Sequence, residues 1–181
     1  MRLSLTMLLL TIVVATDNVI YMHPSIGQRI KQRRAFASPE QEAMLGIRMV
    51  AARILAPWER FLKVEADLTP SQYNVLRILR GSHPKALTAG EIGERTIARD
   101  PDITRLVDRL DARGLVKRTR SEQDRRVVEV EITDKGLELL RVLDPHAQRM
   151  PQALIGHVTP RKLRQLAKLL AEVLDGMGTY P

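Results

Sequence analysis

Residues 102–136, DITRLVDRLDARGLVKRTRSEQDRRVVEVEITDKG, change their periodicity halfway along, and that change decides the fold. Ile103, Leu106, Val107 and Leu110 recur at three and four, the spacing that turns one face of a helix inward, until Gly114 stops the run. From Leu115 to Arg120 and again from Val127 to Ile132 the chain is short, alternating and rich in β-branched residues, as strands are. The polar stretch Ser121 to Arg126 lies between them, so the second half reads as a two-stranded ribbon turning at charged residues.

Upstream, the same helical grammar repeats. Ser38-Pro39-Glu40-Gln41 supplies a cap, a proline for the first helical position and a glutamine at the third, and predicts a long helix. Its stripe is Met44, Ile47, Ala51, Ile54, Trp58, Phe61 and Leu62, with a kink expected near Ala56 because Pro57 cannot donate its backbone bond. Thr69-Pro70-Ser71-Gln72 opens a second helix that closes at Gly81, and Thr88-Ala89-Gly90-Glu91 a third that runs through Arg95. Asp100-Pro101 is expected to open the helix that carries Ile103. Downstream, Thr133 caps a helix running toward His146, with Pro145 and Pro151 expected to bend or break it. Thr159-Pro160 caps a last helix striped by Leu163, Leu166, Leu169, Leu170, Val173 and Leu174, ending at Gly176.

The fold class expected is therefore mainly α with a small β-wing: a winged helix-turn-helix flanked by long N- and C-terminal helices. Residues 38–176 form one unit in this reading, with 38–66 and 133–176 as dimerisation helices around a winged part at 68–132. Both terminal stripes exceed what a small three-helix core can cover, which argues for a homodimer over an enlarged monomer core. Residues 177–181 are a tail.

The charge balance points the same way. Twenty-nine Lys and Arg against twenty-one Asp and Glu give a formal +8, and a field that draws polyanions. The absence of cysteine excludes disulfides, thiolate metal sites and thiol redox sensing. His23, His83, His146 and His157 are scattered without ligand spacing, and no phosphate-cradling glycine loop or nucleophile elbow is present, so neither a metal, a cofactor nor an enzyme activity is expected. Residues 1–21 contain an apolar run, Leu3 to Ala15, that resembles a secretory signal and is too short for a comfortable membrane span. A translation start at Met22 is the favoured reading, giving a cytoplasmic protein; a genuine signal or membrane anchor is the alternative. Residues 22–37 are a basic arm bearing Arg29, Lys31, Arg33 and Arg34, expected to be solvated and disordered, with an extra phosphate contact as its functional alternative.

A helix that enters a DNA major groove shows its N-terminal residues to the base edges. With Leu106, Val107 and Leu110 inward, Asp102, Thr104, Arg105 and Arg109 fall on the outer face. Arg105 is suited to fork onto guanine O6 and N7, and Thr104 to a thymine methyl or a phosphate. Asp102, an acid near phosphates, must accept from a cytosine or neutralise Arg99 or Arg105. Lys117, Arg118 and Arg120 line one strand and can serve phosphates.

The stretches LTPSQYNVLRILRG (68–81), LTAGEIGER (87–95) and the quoted segment extended to Leu140 resemble the MarR family of winged-helix regulators. The likeness follows helix order over about residues 40–176 and is strongest from Leu68 to Leu140. It implies a homodimer built on the terminal helices, with one winged domain per subunit. It also implies repression or activation of nearby genes, usually relieved by a small, often aromatic anionic ligand. An Asp-x-Arg at the tip of the family's wing sends its arginine into the minor groove; Arg126 matches that arginine and Asp124 the acid that orients it, with Arg125 beside them. A narrow A·T-rich groove concentrates negative potential and accepts a guanidinium well. The resemblance further implies a ligand crevice between the dimer helices and the winged domain, for which Trp58, Phe61 and Tyr73 are candidates, although all three also lie on core stripes. A nonspecific architectural DNA binder and a membrane-anchored basic adaptor are the rival readings.

Overall fold

The computed structural model describes residues 24–97, 102–120 and 126–177. The chain divides into two compact units, Met1–Val50 and Ala51–Pro181, and the division falls inside the helix expected at 38–66.

The first unit contains a one-turn helix, α1 (Ile26–Arg29), and the opening half of α2 (Pro39–Ala66). From Pro24 on the basic arm has a defined backbone where disorder was expected, while Arg29, Lys31, Arg33 and Arg34 are exposed as a solvated arm would have them. A capping box closes α1, Gln28 N–H donating to Ser25 Oγ and Ser25 N–H to Gln28 Oε1. Lys31 then takes a left-handed φ of 55°, which lets Gln32 N–H reach back to the Gly27 carbonyl at 2.9 Å. Phe36 lies beside Gly27, and Ile26 packs against Gly46. Local bonds and two apolar contacts thus hold a segment whose composition alone suggests solvent. On the same unit Met44, Ile47 and Val50 of α2 are exposed.

The second unit holds the rest of α2, which continues through Pro57 without interruption. There follow α3 (Pro70–Ser82), β1 (Leu87–Thr88), α4 (Ala89–Glu94), α5 (Ile103–Asp111), β2 (Val116–Arg120), β3 (Val128–Ile132), α6 (Asp134–Ile155) and α7 (Pro160–Gly176). The caps of α3 and α4 form as the spacing predicts: Thr69 with Gln72 and Thr88 with Glu91 make reciprocal boxes. Leu62, Val75, Leu76, Leu79, Ile92, Leu110, Leu140 and Leu143 are sealed from solvent in one core.

Among the described residues the sheet has three strands, in the order β1-β3-β2, where two were expected. Leu87 pairs with Val130 and Thr88 with Glu129, a strand too short to leave a period in the sequence. Ribbon β2–β3 is antiparallel, with Val116 opposite Ile132 and Arg120 opposite Val128.

Helix α6 runs past Pro145 and Pro151 to Ile155, so neither proline breaks it. Each proline removes one backbone bond, and the burial of Leu140 and Leu143 together with an Arg149 Nε bond to the Pro145 carbonyl holds the helix together. Thr159 takes the N-cap position of α7 with no side-chain bond, so Pro160 alone marks that start. No residue of α7 is buried: Leu166, Leu169, Leu170, Val173 and Leu174 stand open to solvent in the single chain. Among the described residues no helix is long and apolar enough to cross a membrane.

Candidate nucleic-acid interface

Helix α5 sits on the core by the four side chains its period selects: Ile103, Leu106, Val107 and Leu110 are buried. Thr104, Arg105 and Arg109 are consequently exposed together on the other side. The helix starts later than Asp100-Pro101 suggests. Asp102 is its N-cap, accepting from Arg105 N–H at 3.2 Å, so this half-buried acid serves the helix end, at a position where it was expected either to accept from a cytosine or to neutralise Arg99 or Arg105. A carboxylate there also meets the positive end of the helix dipole. Its other oxygen lies 2.9 Å from Arg105 Nε, one of the pairings its sequence position allows. The Arg105 side chain is 78% exposed.

The ribbon adds a second basic surface. Arg118 pairs with Asp108 of α5, which ties β2 to that helix. Lys117 faces Glu131 across the ribbon at 3.5 Å, while Arg120 and Arg126 are exposed. A cleft of about 350 Å³ lies among the start of α4, α5 and the ribbon, lined by Thr88, Gly90, Thr104, Arg118, Arg126 and Val128 among others. It brings Thr104, Arg118 and Arg126 to one place, while Arg109 and Arg120 are not among its lining. Arg99, Asp124 and Arg125, the remaining residues expected at the interface, lie outside the described residues.

Position of α4 beside this cleft depends on its cap. Thr88 N–H donates to Glu91 Oε2 at 2.8 Å and Glu91 N–H to Thr88 Oγ1 at 3.2 Å. The Thr88 backbone N–H, and after it the Thr88 hydroxyl, hold the Glu91 carboxyl below its ordinary value.

The three aromatic residues offered for a ligand crevice pack on one another. Tyr73 meets Trp58 edge-on at 4.9 Å between ring centres, and Phe61 stacks on Trp58 at 5.5 Å. Trp58 and Tyr73 are buried, and Phe61 is half-buried. Burial pushes the Tyr73 phenol up from its ordinary value. His146 completes the cluster, its ring 3.6 Å from that of Phe61 and nearly parallel to it. Nothing local in the sequence marks this histidine as a member, because its partner is 85 positions away in the chain and stacking leaves no local signature. Among the described residues no three His, Cys, Asp or Glu side chains are grouped to hold a metal ion.

Arg113, which follows α5, was also invisible to sequence patterns. Its guanidinium donates to the carbonyls of Ala66 and Asp67 at the end of α2, at 2.7 and 2.8 Å. A long cation just before a turn glycine is the only local hint of such a bond.

Comparison with known proteins agrees with this architecture. A family model described as MarR family matches residues 66–127. The chain is 31% identical over 113 residues to the HTH-type transcriptional repressor MdtR of Bacillus subtilis, spanning 62% of this chain and 71% of that one. A MarR transcription factor of Planctomyces limnophilus is 41% identical in its crystal structure, with a TM-score of 0.58, over 76% of this chain and 98% of the other. Sco3205, a MarR family transcriptional regulator from Streptomyces coelicolor solved in complex with DNA, is 26% identical with a TM-score of 0.70, over 81% of this chain and 92% of that one.

Proposed function

This chain belongs to the MarR family of DNA-binding transcription regulators, and from that premise we propose that it is a homodimeric repressor that binds a pseudo-palindromic operator and is released by a small aromatic anion. It is a regulator and not an enzyme. The single observation that carries the operator reading is the outer face of α5, where Thr104, Arg105 and Arg109 are exposed over a buried apolar face, beside a ribbon rich in arginine. In this reading Arg105 reads guanine through its terminal amino groups while Asp102 holds Nε, and Thr104 meets a thymine methyl or a phosphate. Arg109, Arg118 and Arg120 serve phosphates, and Arg126, with Asp124 and Arg125, belongs to a wing tip that enters the minor groove. Arg99 is assigned to the same surface.

The dimer reading is supported by apolar faces that the single chain leaves bare. Leu166, Leu169, Leu170, Val173 and Leu174 of α7, with Met44, Ile47 and Val50 of α2, need apolar cover that water does not supply. Two-fold symmetry then sets the half-sites about 10 base pairs apart, centre to centre. Effector release is carried over from the family resemblance, with Trp58, Phe61 and Tyr73 as the crevice candidates, which in the single chain pack on one another and on His146. The site of action is the cytoplasm, where operator DNA lies.

Fluorescence anisotropy tests the proposal, using the full chain and duplexes tiled across the region upstream of its own gene, at physiological salt. Saturable binding to one near-palindrome, two chains per duplex, weakened by Arg126→Ala and reversed by a phenolic acid, is the expected result. Equal affinity for every duplex overturns sequence-specific regulation and leaves an architectural DNA binder, because a protein of charge +8 binds any DNA weakly.

A further inference from the structure

Helix α2 ends with a closed backbone motif. Leu68 N–H donates to the Leu62 carbonyl at 3.2 Å and Asp67 N–H to the Lys63 carbonyl at 3.1 Å, with Asp67 itself in the left-handed region at φ 49°. Those bonds satisfy the Leu62 and Lys63 carbonyls and leave the carbonyls beyond them, among them those of Ala66 and Asp67, to find other donors. Arg113 supplies both. Its two Nη groups fork across the consecutive carbonyls, a fixed positive charge meeting the negative end of the α2 dipole.

Arg113 is itself locked at the end of α5. Its N–H donates to the Leu110 carbonyl, and Leu115 N–H reaches the same oxygen past Gly114, whose φ is 69°. The Arg113 carbonyl in turn accepts from Lys135 Nζ in the first turn of α6, at 2.8 Å. Three helix ends therefore meet at one residue: the end of α2, the end of the base-facing helix α5, and the start of α6. A shift of the α2 end either breaks two charge-assisted bonds or carries α5 with it.

We propose that Arg113 is a positioning residue that fixes the angle of α5 against α2 and so sets the spacing between the two base-reading helices of the dimer. It touches no base in this scheme; its effect on DNA passes entirely through α5. The inference rests on the operator reading above and adds to it a residue that determines half-site spacing.

The experiment measures binding of the full chain to three duplexes: the operator, and the same half-sites moved one base pair closer or one farther apart. Wild type prefers the native spacing. Arg113→Ala reduces that preference about fivefold or more, the lower end of typical site-to-site coupling, while leaving affinity for a scrambled duplex unchanged. Arg113→Lys, which keeps the charge and cannot fork across two carbonyls, falls between them and serves also if the alanine variant does not fold. Leu79→Val in the core of α3 lowers thermal stability and keeps the full preference, which separates positioning from stability. A folded, dimeric Arg113→Ala or Arg113→Lys with the wild-type preference overturns the inference alone, as does an equal loss in Leu79→Val. A wild type that binds its operator with no spacing preference overturns it as well. A wild type with no specific operator overturns the functional reading and this inference together.

Discussion

Gly136 occupies the first turn of α6, where its N–H donates to Thr133 Oγ1 at 3.1 Å. Elsewhere in an exposed helix, replacing glycine by alanine gains about 1 kcal/mol from reduced backbone freedom. At this site the added Cβ meets the Leu115 carbonyl oxygen at 2.3 Å and Ile132 Cγ1 at 2.7 Å. The first contact is with backbone, so it cannot be relieved by a side-chain rotation, and the Leu115 carbonyl is already held by Thr133 N–H at 3.2 Å. Forcing α6 away from the start of β2 costs about 1–3 kcal/mol of overpacking and about 1 kcal/mol for the bond that lengthens. Set against the helix gain, Gly136→Ala is destabilising by about 1–3 kcal/mol. In a chain of this size each kcal/mol is worth about 2–4 °C in melting midpoint, read at one fixed chain concentration because a dimer melts with mass action. Gly81→Ala is the matched control: nothing lies within 4 Å of its Cβ, and the change stabilises by about 0.5–1 kcal/mol. Urea unfolding followed by circular dichroism measures both. The reasoning fails if Gly136→Ala is as stable as wild type, or if Gly81→Ala loses as much.

Further outcomes follow from the same geometry. Arg105→Ala costs about 1–3 kcal/mol of discrimination at the base pair it reads and little against a scrambled duplex, which anisotropy on single-base operator variants separates. Asp144→Asn removes the charge from a two-bond pair with Arg80, at 2.8 and 3.1 Å, that links α3 to α6. The pair is about 30% exposed on each side, so solvent screening holds the expected loss to about 1–2 kcal/mol by thermal melting. Acid weakens the cap of α4: the folded-state carboxyl of Glu91 titrates below its ordinary 4.5, so its stabilisation is present above that pH and disappears as pH falls through the lower folded value. Glu91→Gln therefore flattens the fall in unfolding midpoint between about pH 5 and pH 3; a variant with the wild-type slope assigns that fall to other carboxylates.

What the sequence discloses and what it conceals divide by distance along the chain. Caps at Thr69, Thr88 and Thr133 are legible because each bond closes over three residues, and the buried face of α5 because its members recur within one turn. The ribbon is legible because a change from helical to alternating period is itself local. Strand β1 escapes because two residues cannot establish a period, and its partner on β3 lies more than forty positions on. The fold of the basic arm escapes for a related reason: its charges dominate the composition, while the elements that hold it are one serine-glutamine box and a left-handed lysine. Asp102 shows where a local signal misleads, since Asp100 and Asp102 are both acceptable caps by residue type and only the backbone chooses between them. Bonds such as Arg80 to Asp144 and Arg113 to Ala66 join elements whose meeting depends on the whole core, and a single arginine carries no mark of its distant acceptor. The exposed face of α5 was accessible from sequence because it is what remains once the buried one is known. The coupling between that face and the helices behind it was not, because it runs through side chains whose partners only the folded core brings together.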